Sequence, residues 1–86
     1  MYYLYILECS NGNYYTGITT DLERRWQQHL DGSAAKYTRA FPPKAMVAHW
    51  QVNEDRGVAQ SLEKSIKQLS RAEKEALIRD PGLLGQ

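Results

Sequence analysis

This 86-residue chain predicts an α/β domain of the α+β kind: a small three-stranded antiparallel sheet flanked by helices, in the order β-β-α-β-α-α. Three observations carry that expectation. Two aromatic-rich segments flank Asn11-Gly12, which signals a hairpin. A third branched and aromatic run, Ala45 to Val52, stands alone between helical stretches. Two apolar stripes at helical spacing, Leu22-Trp26-Leu30 and Val58-Leu62-Ile66-Leu69, supply the covering helices.

The elements follow in order. Tyr2 to Glu8 reads as a strand, and Ser10-Asn11-Gly12-Asn13 as a type I′ turn, because Asn-Gly tolerates positive φ. Tyr14 to Gly17 is the second strand. Thr20-Asp21-Leu22-Glu23 matches a capping box for a helix to about Leu30, with Gly32 as its left-handed end. Ser33 to Pro43 is a polar loop with one helical turn near Ala34 to Thr38, stopped by Pro42-Pro43. A second helix runs from Arg56 or Gly57 to about Leu69. Ser70-Arg71-Ala72-Glu73, another capping box, opens a short helix to Ile78. The division expected is one domain over 1–79 and a frayed tail over 80–86.

Composition narrows the classes. The chain is 42% hydrophobic and 24% charged, an ordinary globular balance, with no apolar run long enough to cross a bilayer. No signal-peptide pattern opens it, and Cys9 is its single cysteine, so a reducing, cytoplasmic setting fits. One Cys with His29 and His49 falls short of a zinc site. The net charge is only +1, but residues 21–44 hold five basic side chains against three acids. A nucleic-acid contact there would be modest, since affinity follows the number of phosphates neutralised.

Helix geometry separates two adjacent arginines. Arg25 and His29, four apart, share the border of the first apolar stripe, while Arg24 points to solvent. A guanidinium held at that border suits a phosphate; a snorkelling Arg paired with Asp21 is the plainer alternative. His29 can hydrogen-bond a phosphate or pass a proton. Tyr5 and Tyr15, on paired strands, can present two hydroxyls on one face, and a neighbouring cation such as Arg25 would lower a phenol's pKa. Glu63 either pairs with Lys67 on the helix surface or binds Mg²⁺ or Mn²⁺ through oxygen. Lys36-Tyr37-Thr38-Arg39 interleaves cations with an aromatic and a hydroxyl, either for phosphate contact and base stacking or as a solvated loop with Tyr37 packed inward. Trp26 and Trp50 read as core, Cys9 as a passive thiol, and His49 has no evident partner.

Taken together, these residues resemble the GIY-YIG nuclease superfamily, and most closely its small single-domain bacterial members in the Slx-like branch. The run Tyr14 to Arg25 and the loop Ala35-Lys36-Tyr37-Thr38-Arg39 carry the likeness, which covers Tyr2 to about Ile78. The first tripeptide is Tyr3-Leu4-Tyr5 and the second Tyr15-Thr16-Gly17, with Ile18 where some members carry lysine. The resemblance implies a divalent-metal endonuclease acting on DNA, with RNA an alternative and branched or repair-intermediate DNA a candidate form. Tyr5 and Tyr15 become the signature tyrosines, Arg25 the catalytic arginine, His29 a site residue and Glu63 the metal ligand. A non-catalytic nucleic-acid-binding module is the rival reading, and a protein partner could supply substrate grip.

Overall fold

The computed structural model describes residues 1–85; Gln86, the last residue of the expected tail, lies outside them. The sheet is built from β1 (Tyr2–Cys9), β2 (Tyr14–Thr19) and β3 (Pro43–Asn53). Its order is β2-β1-β3 with both pairings antiparallel, so β1 is central. Helices α1 (Leu22–Asp31), α2 (Lys36–Ala40), α3 (Arg56–Lys67) and α4 (Arg71–Arg79) follow the expected order, with α2 realising the loop's single turn.

A central strand covered on both faces cannot alternate apolar with polar, and Leu4 to Leu7 are all buried. Leu4 and Ile6 face one way. With Ala48, Ile66 and Leu77 they form the main core, flanked by Ile18, Trp50, Leu62 and Leu69. Removing such a side chain down to alanine costs about 2–5 kcal/mol. Tyr5, Leu7 and Cys9 face the other way, toward α1 and α2. The second face is the one that carries polar chemistry.

Local departures from the sequence reading have physical causes. The hairpin is not type I′: among the described residues only glycines have positive φ, and Gly12 alone takes it in this turn. Gly12 N donates to Cys9 O at 2.9 Å and Cys9 N to Asn13 O at 2.8 Å, the pattern of a three-residue loop with glycine in its left-handed position. Asn11 instead uses its side chain, accepting from Asn13 N and donating to the Tyr37 hydroxyl at 2.8 Å. Asp21, not Thr20, caps α1, accepting from Arg24 N at 3.0 Å. Thr19 Oγ1 accepts from Asp21 N and so fixes the chain one residue further on.

Pro43 opens β3 rather than ending the loop, which an edge strand tolerates at its first residue. Leu30 and Val58, assigned to apolar stripes, are 49% and 50% exposed; His29 and Ala59 hold the buried positions instead. Trp26 is only half-buried and lies outside the main core, in a shallow groove with Leu22, Met46 and His49. The Ser70–Glu73 capping box forms as expected. After α4, Pro81–Gly85 makes a 3-10 turn where fraying was expected. Trp50 Nε1 donates to Pro81 O at 2.9 Å and Leu84 packs on the core, so residues past Asp80 gain contacts that a local reading does not foresee.

Candidate active site

Strand register brings the first two site residues together. Tyr5 pairs with Gly17 across β1 and β2, and Leu7 with Tyr15, so both tyrosines stand on the face covered by α1 and α2. Gly17 has no side chain, and the Tyr5 ring occupies the space that a Cβ there would need. Tyr5 is only 1% exposed. Its hydroxyl lies 2.7 Å from His29 Nε2, and His29 Nδ1 lies 2.8 Å from Thr38 Oγ1. Thr38 Oγ1 in turn donates to Ala35 O at 3.4 Å. A buried polar chain thus runs from the middle of the sheet through α1 into α2.

Tyr15 sits beside this chain. Its ring meets His29 edge-on at 5.3 Å between centroids and stacks with Tyr37 at 6.1 Å, 16° from parallel. Lys67 Nζ lies 5.7 Å from the centroid of Tyr15. Arg25 is half-buried, and its Nε is buried without a hydrogen-bond partner. An unsatisfied buried polar atom costs about 1–3 kcal/mol, and Thr16 Oγ1 on β2 is left in the same state. A polar hollow of about 260 Å³ is lined by Arg25 with Thr19, Thr20, Asp21, Arg24 and Gln28.

Electrostatics tie the set together. Burial raises the Tyr5 pKa well above its ordinary value, Tyr15 adds to the rise, and the adjacent Arg25 opposes it. Burial also raises Tyr15, with the Glu63 carboxylate as the next cause. Arg25 therefore does pull both phenols down, as expected of a neighbouring cation, but burial outweighs it. His29 is pushed down to about 4, mostly by burial and then by Arg25, so it is neutral at physiological pH.

Glu63 is half-buried on α3 and pairs with Lys67 at 3.6 Å. Its negative charge contributes to the raised pKa values of Tyr5 and Tyr15. The surface pair of Glu63 with Lys67 is thus present. The described residues contain no group of three or more His, Cys, Asp or Glu that could hold a metal ion. One carboxylate with substrate oxygens and retained waters fits a Mg²⁺-type ion; it does not fit zinc.

The loop expected to bind nucleic acid divides. Thr38 is fully buried and cannot touch a ligand; its hydroxyl belongs to His29. Tyr37 packs inward on Tyr15 and Phe41. Lys36 and Arg39 are exposed, and Arg39 lays its stem along Gly32 at the end of α1. Three cations were missed. Lys67, Arg71 and Lys74 border a groove of about 400 Å³ with Tyr14, Tyr15 and Tyr37. Their spacing of four and three residues was visible, but the break between α3 and α4 hid the shared face. Cys9 is a buried free thiol with its pKa raised by burial, and then by Glu8.

A three-stranded antiparallel sheet carrying this cluster on one face is a nuclease-type fold. The family model described as the GIY-YIG catalytic domain matches residues 1–76, and the chain belongs to that family. A UPF0213 protein of Xanthomonas campestris pv. campestris is 49% identical over 83 residues, covering 96% of this chain and 80% of its own. The UPF0213 protein of Halobacterium salinarum is 48% identical over 77 residues, covering 90% and 99%. The solution NMR structure of the UPF0213 protein BH0048 from Bacillus halodurans shares 45% identity with a TM-score of 0.56, covering 92% of this chain and 84% of that one. No helix among the described residues is long and apolar enough to cross a membrane.

Proposed function

We propose that the domain is a divalent-metal-dependent endonuclease that hydrolyses phosphodiester bonds in DNA. The observation that carries this is the buried, unpartnered Arg25 Nε beside two hydroxyls and an imidazole on one sheet face. A phosphodiester oxygen is the acceptor that such a donor lacks.

Arg25 receives a non-bridging phosphate oxygen and neutralises the charge that grows there as a water attacks. The new P–O bond forms as the ester P–O bond breaks, and the ester oxygen leaves with the bonding pair. The water's proton passes to the Tyr5 oxygen while the Tyr5 proton passes to His29 Nε2, so Tyr5 need not ionise. Tyr5 suits this role better than Tyr15, because only Tyr5 is hydrogen-bonded to His29 among the described residues. Phosphate bound at Arg25 offsets that residue's charge and makes His29 a stronger base than in the free protein. Glu63 would hold Mg²⁺ or Mn²⁺, which supplies Lewis-acid stabilisation of the leaving oxygen. Lys36, Arg39 and the Lys67–Arg71–Lys74 border supply grip on the strand.

The rival is a non-catalytic nucleic-acid-binding module, favoured by the Glu63–Lys67 pair, which already occupies the carboxylate. Labelled branched, flapped and linear DNA, with matching RNA, should be incubated with the protein in Mg²⁺ or Mn²⁺ beside Arg25→Ala. Product from the native chain and none from the variant supports the enzyme. Binding that ignores the metal and yields no product supports the rival.

A further inference from the structure

Thr38 is fully buried, lies on the shortest helix, and touches neither solvent nor any residue placed at the reacting phosphate. Its hydroxyl nonetheless meets the one imidazole of the cluster at 2.8 Å. Donor and acceptor accounting decides which way the protons in this chain point.

Among the described residues the Tyr5 hydroxyl meets His29 Nε2, and the Arg25 guanidinium acts on it as a nearby cation. A guanidinium has donors only, so it cannot take the phenolic hydrogen. If Nε2 also carried hydrogen, the buried Tyr5 O–H would have no acceptor, at a cost of about 1–3 kcal/mol. The Tyr5 hydrogen therefore lies toward a bare Nε2. Neutral His29 must then carry its hydrogen on Nδ1, which donates to Thr38 Oγ1. Thr38 can accept because its own hydrogen has an outlet at Ala35 O, 3.4 Å away. Every hydrogen in the chain has a destination in this arrangement alone.

We propose that Thr38 is a positioning residue: by accepting from His29 Nδ1 it fixes the tautomer with Nε2 bare, and so points the Tyr5 hydrogen at His29 and leaves the phenolic oxygen's lone pairs free to accept a proton. This rests on the reading of Tyr5 as the group that takes the water's proton. An oxygen whose hydrogen is already directed at His29 is ready to accept that proton, whereas one whose hydrogen points away from His29 is not. The bare Nε2 is the place to which the phenolic hydrogen moves. Burial holds the device rigid, since neither His29 nor Thr38 can exchange its partner for water.

The test compares native protein, Thr38→Val and Thr38→Ser at pH 7.5 by long-range ¹H–¹⁵N correlation on His29, alongside steady-state cleavage. The native protein should show protonated Nδ1 and bare Nε2. Thr38→Val removes the acceptor with little change of shape, and should shift His29 toward protonated Nε2 and lower kcat by about 10- to 100-fold at unchanged KM. Thr38→Ser should restore both. Protonated Nε2 in the native protein overturns the proposal without any variant having to fold. So does a Thr38→Val protein with the native tautomer and native kcat. A tautomer that shifts as expected in a protein that cleaves nothing supports the role of Thr38 and refutes only the nuclease reading.

Discussion

The phenol of Tyr5 lies directly over Gly17, its partner across the β1–β2 ladder, and fills the volume where any larger residue would place its Cβ. Gly17 is needed for space, since its φ is not in the left-handed region. Gly17→Ala must push Tyr5 off its seat and lengthen the 2.7 Å contact with His29. Overpacking of this kind costs about 1–3 kcal/mol. Urea melts should show that loss, and cleavage should fall at least about tenfold as the proton route opens. A variant with native stability and native turnover would mean that Tyr5 has slack there which the packing denies.

His29 makes stability depend on pH. Its folded pKa is about 4 against an ordinary 6.5, so between those values the unfolded chain binds a proton that the native one does not. Stability is complete above about 6.5, declines as pH falls to about 4, and is level below that as far as this group decides it. The loss is roughly 3 kcal/mol at most, from the size of the shift. Denaturant melts at pH 7.5, 5.5 and 4.5 should show the decline, and His29→Gln should flatten it. An equal slope in both proteins would assign the effect to the carboxylates.

Arg25→Ala should reduce cleavage by about 10²–10³-fold, the range for a lost transition-state donor, and Arg25→Lys should not restore it, because an ammonium lacks the planar fork. Stability should change little, since Nε is a buried donor with no partner while the rest of the guanidinium acts on Tyr5. Single-turnover assays with urea melts on the same samples separate the two effects. A large loss of stability would show that Arg25 is structural.

Much of this was legible in the chain. The Asn-Gly turn, the Ser70–Glu73 box and the Gly32 terminus announce themselves through local chemistry, and they set the element order. Pairing of the two strands allowed Tyr5 and Tyr15 to share a face, and helix angle put Arg25 at the border of an apolar stripe; only the family resemblance implied that the three belong to one set. What stayed hidden depends on contacts between distant segments. Thr38 looked like a loop hydroxyl because nothing near it in sequence shows that His29, nine residues earlier, needs an acceptor. Leu30 looked buried because helical spacing locates a stripe but not its centre, and α1 turns His29 inward instead. The sign of the tyrosine shifts was equally out of reach: Arg25 is visible in the sequence, whereas the burial that outweighs it is not.

Glu63 and Lys67 should respond oppositely to the metal. Their 3.6 Å pair is half-exposed on the lysine side, worth a few tenths of a kcal/mol, so breaking it hardly affects folding. Glu63→Gln should leave the melting temperature in place and abolish the dependence of cleavage on Mg²⁺ or Mn²⁺ concentration, with activity at background. Lys67→Gln frees the carboxylate and should lower the metal concentration needed for half-maximal cleavage. Metal titrations of the two variants decide this, and Glu63→Gln with a native titration curve would remove Glu63 from the site.

The groove bordered by Lys67, Arg71 and Lys74 makes a separate claim on salt dependence. Arg71 stacks its guanidinium 5.2 Å from the Tyr14 ring and pairs with Glu75 at 3.0 Å, so its charge is partly spent within the fold. Lys74 has no ion pair among the described residues. If a DNA strand runs along this border, each phosphate contact releases about one counterion, and removing one cation should lower the slope of log K against log salt by about one. Lys74→Gln should therefore flatten the slope more than Arg71→Gln, while both leave kcat at saturating substrate unchanged. Fluorescence anisotropy from 50 to 200 mM salt reads the slope directly. Slopes equal to the native value in both variants would move the strand away from α3 and α4, toward the exposed Lys36 and Arg39 of α2.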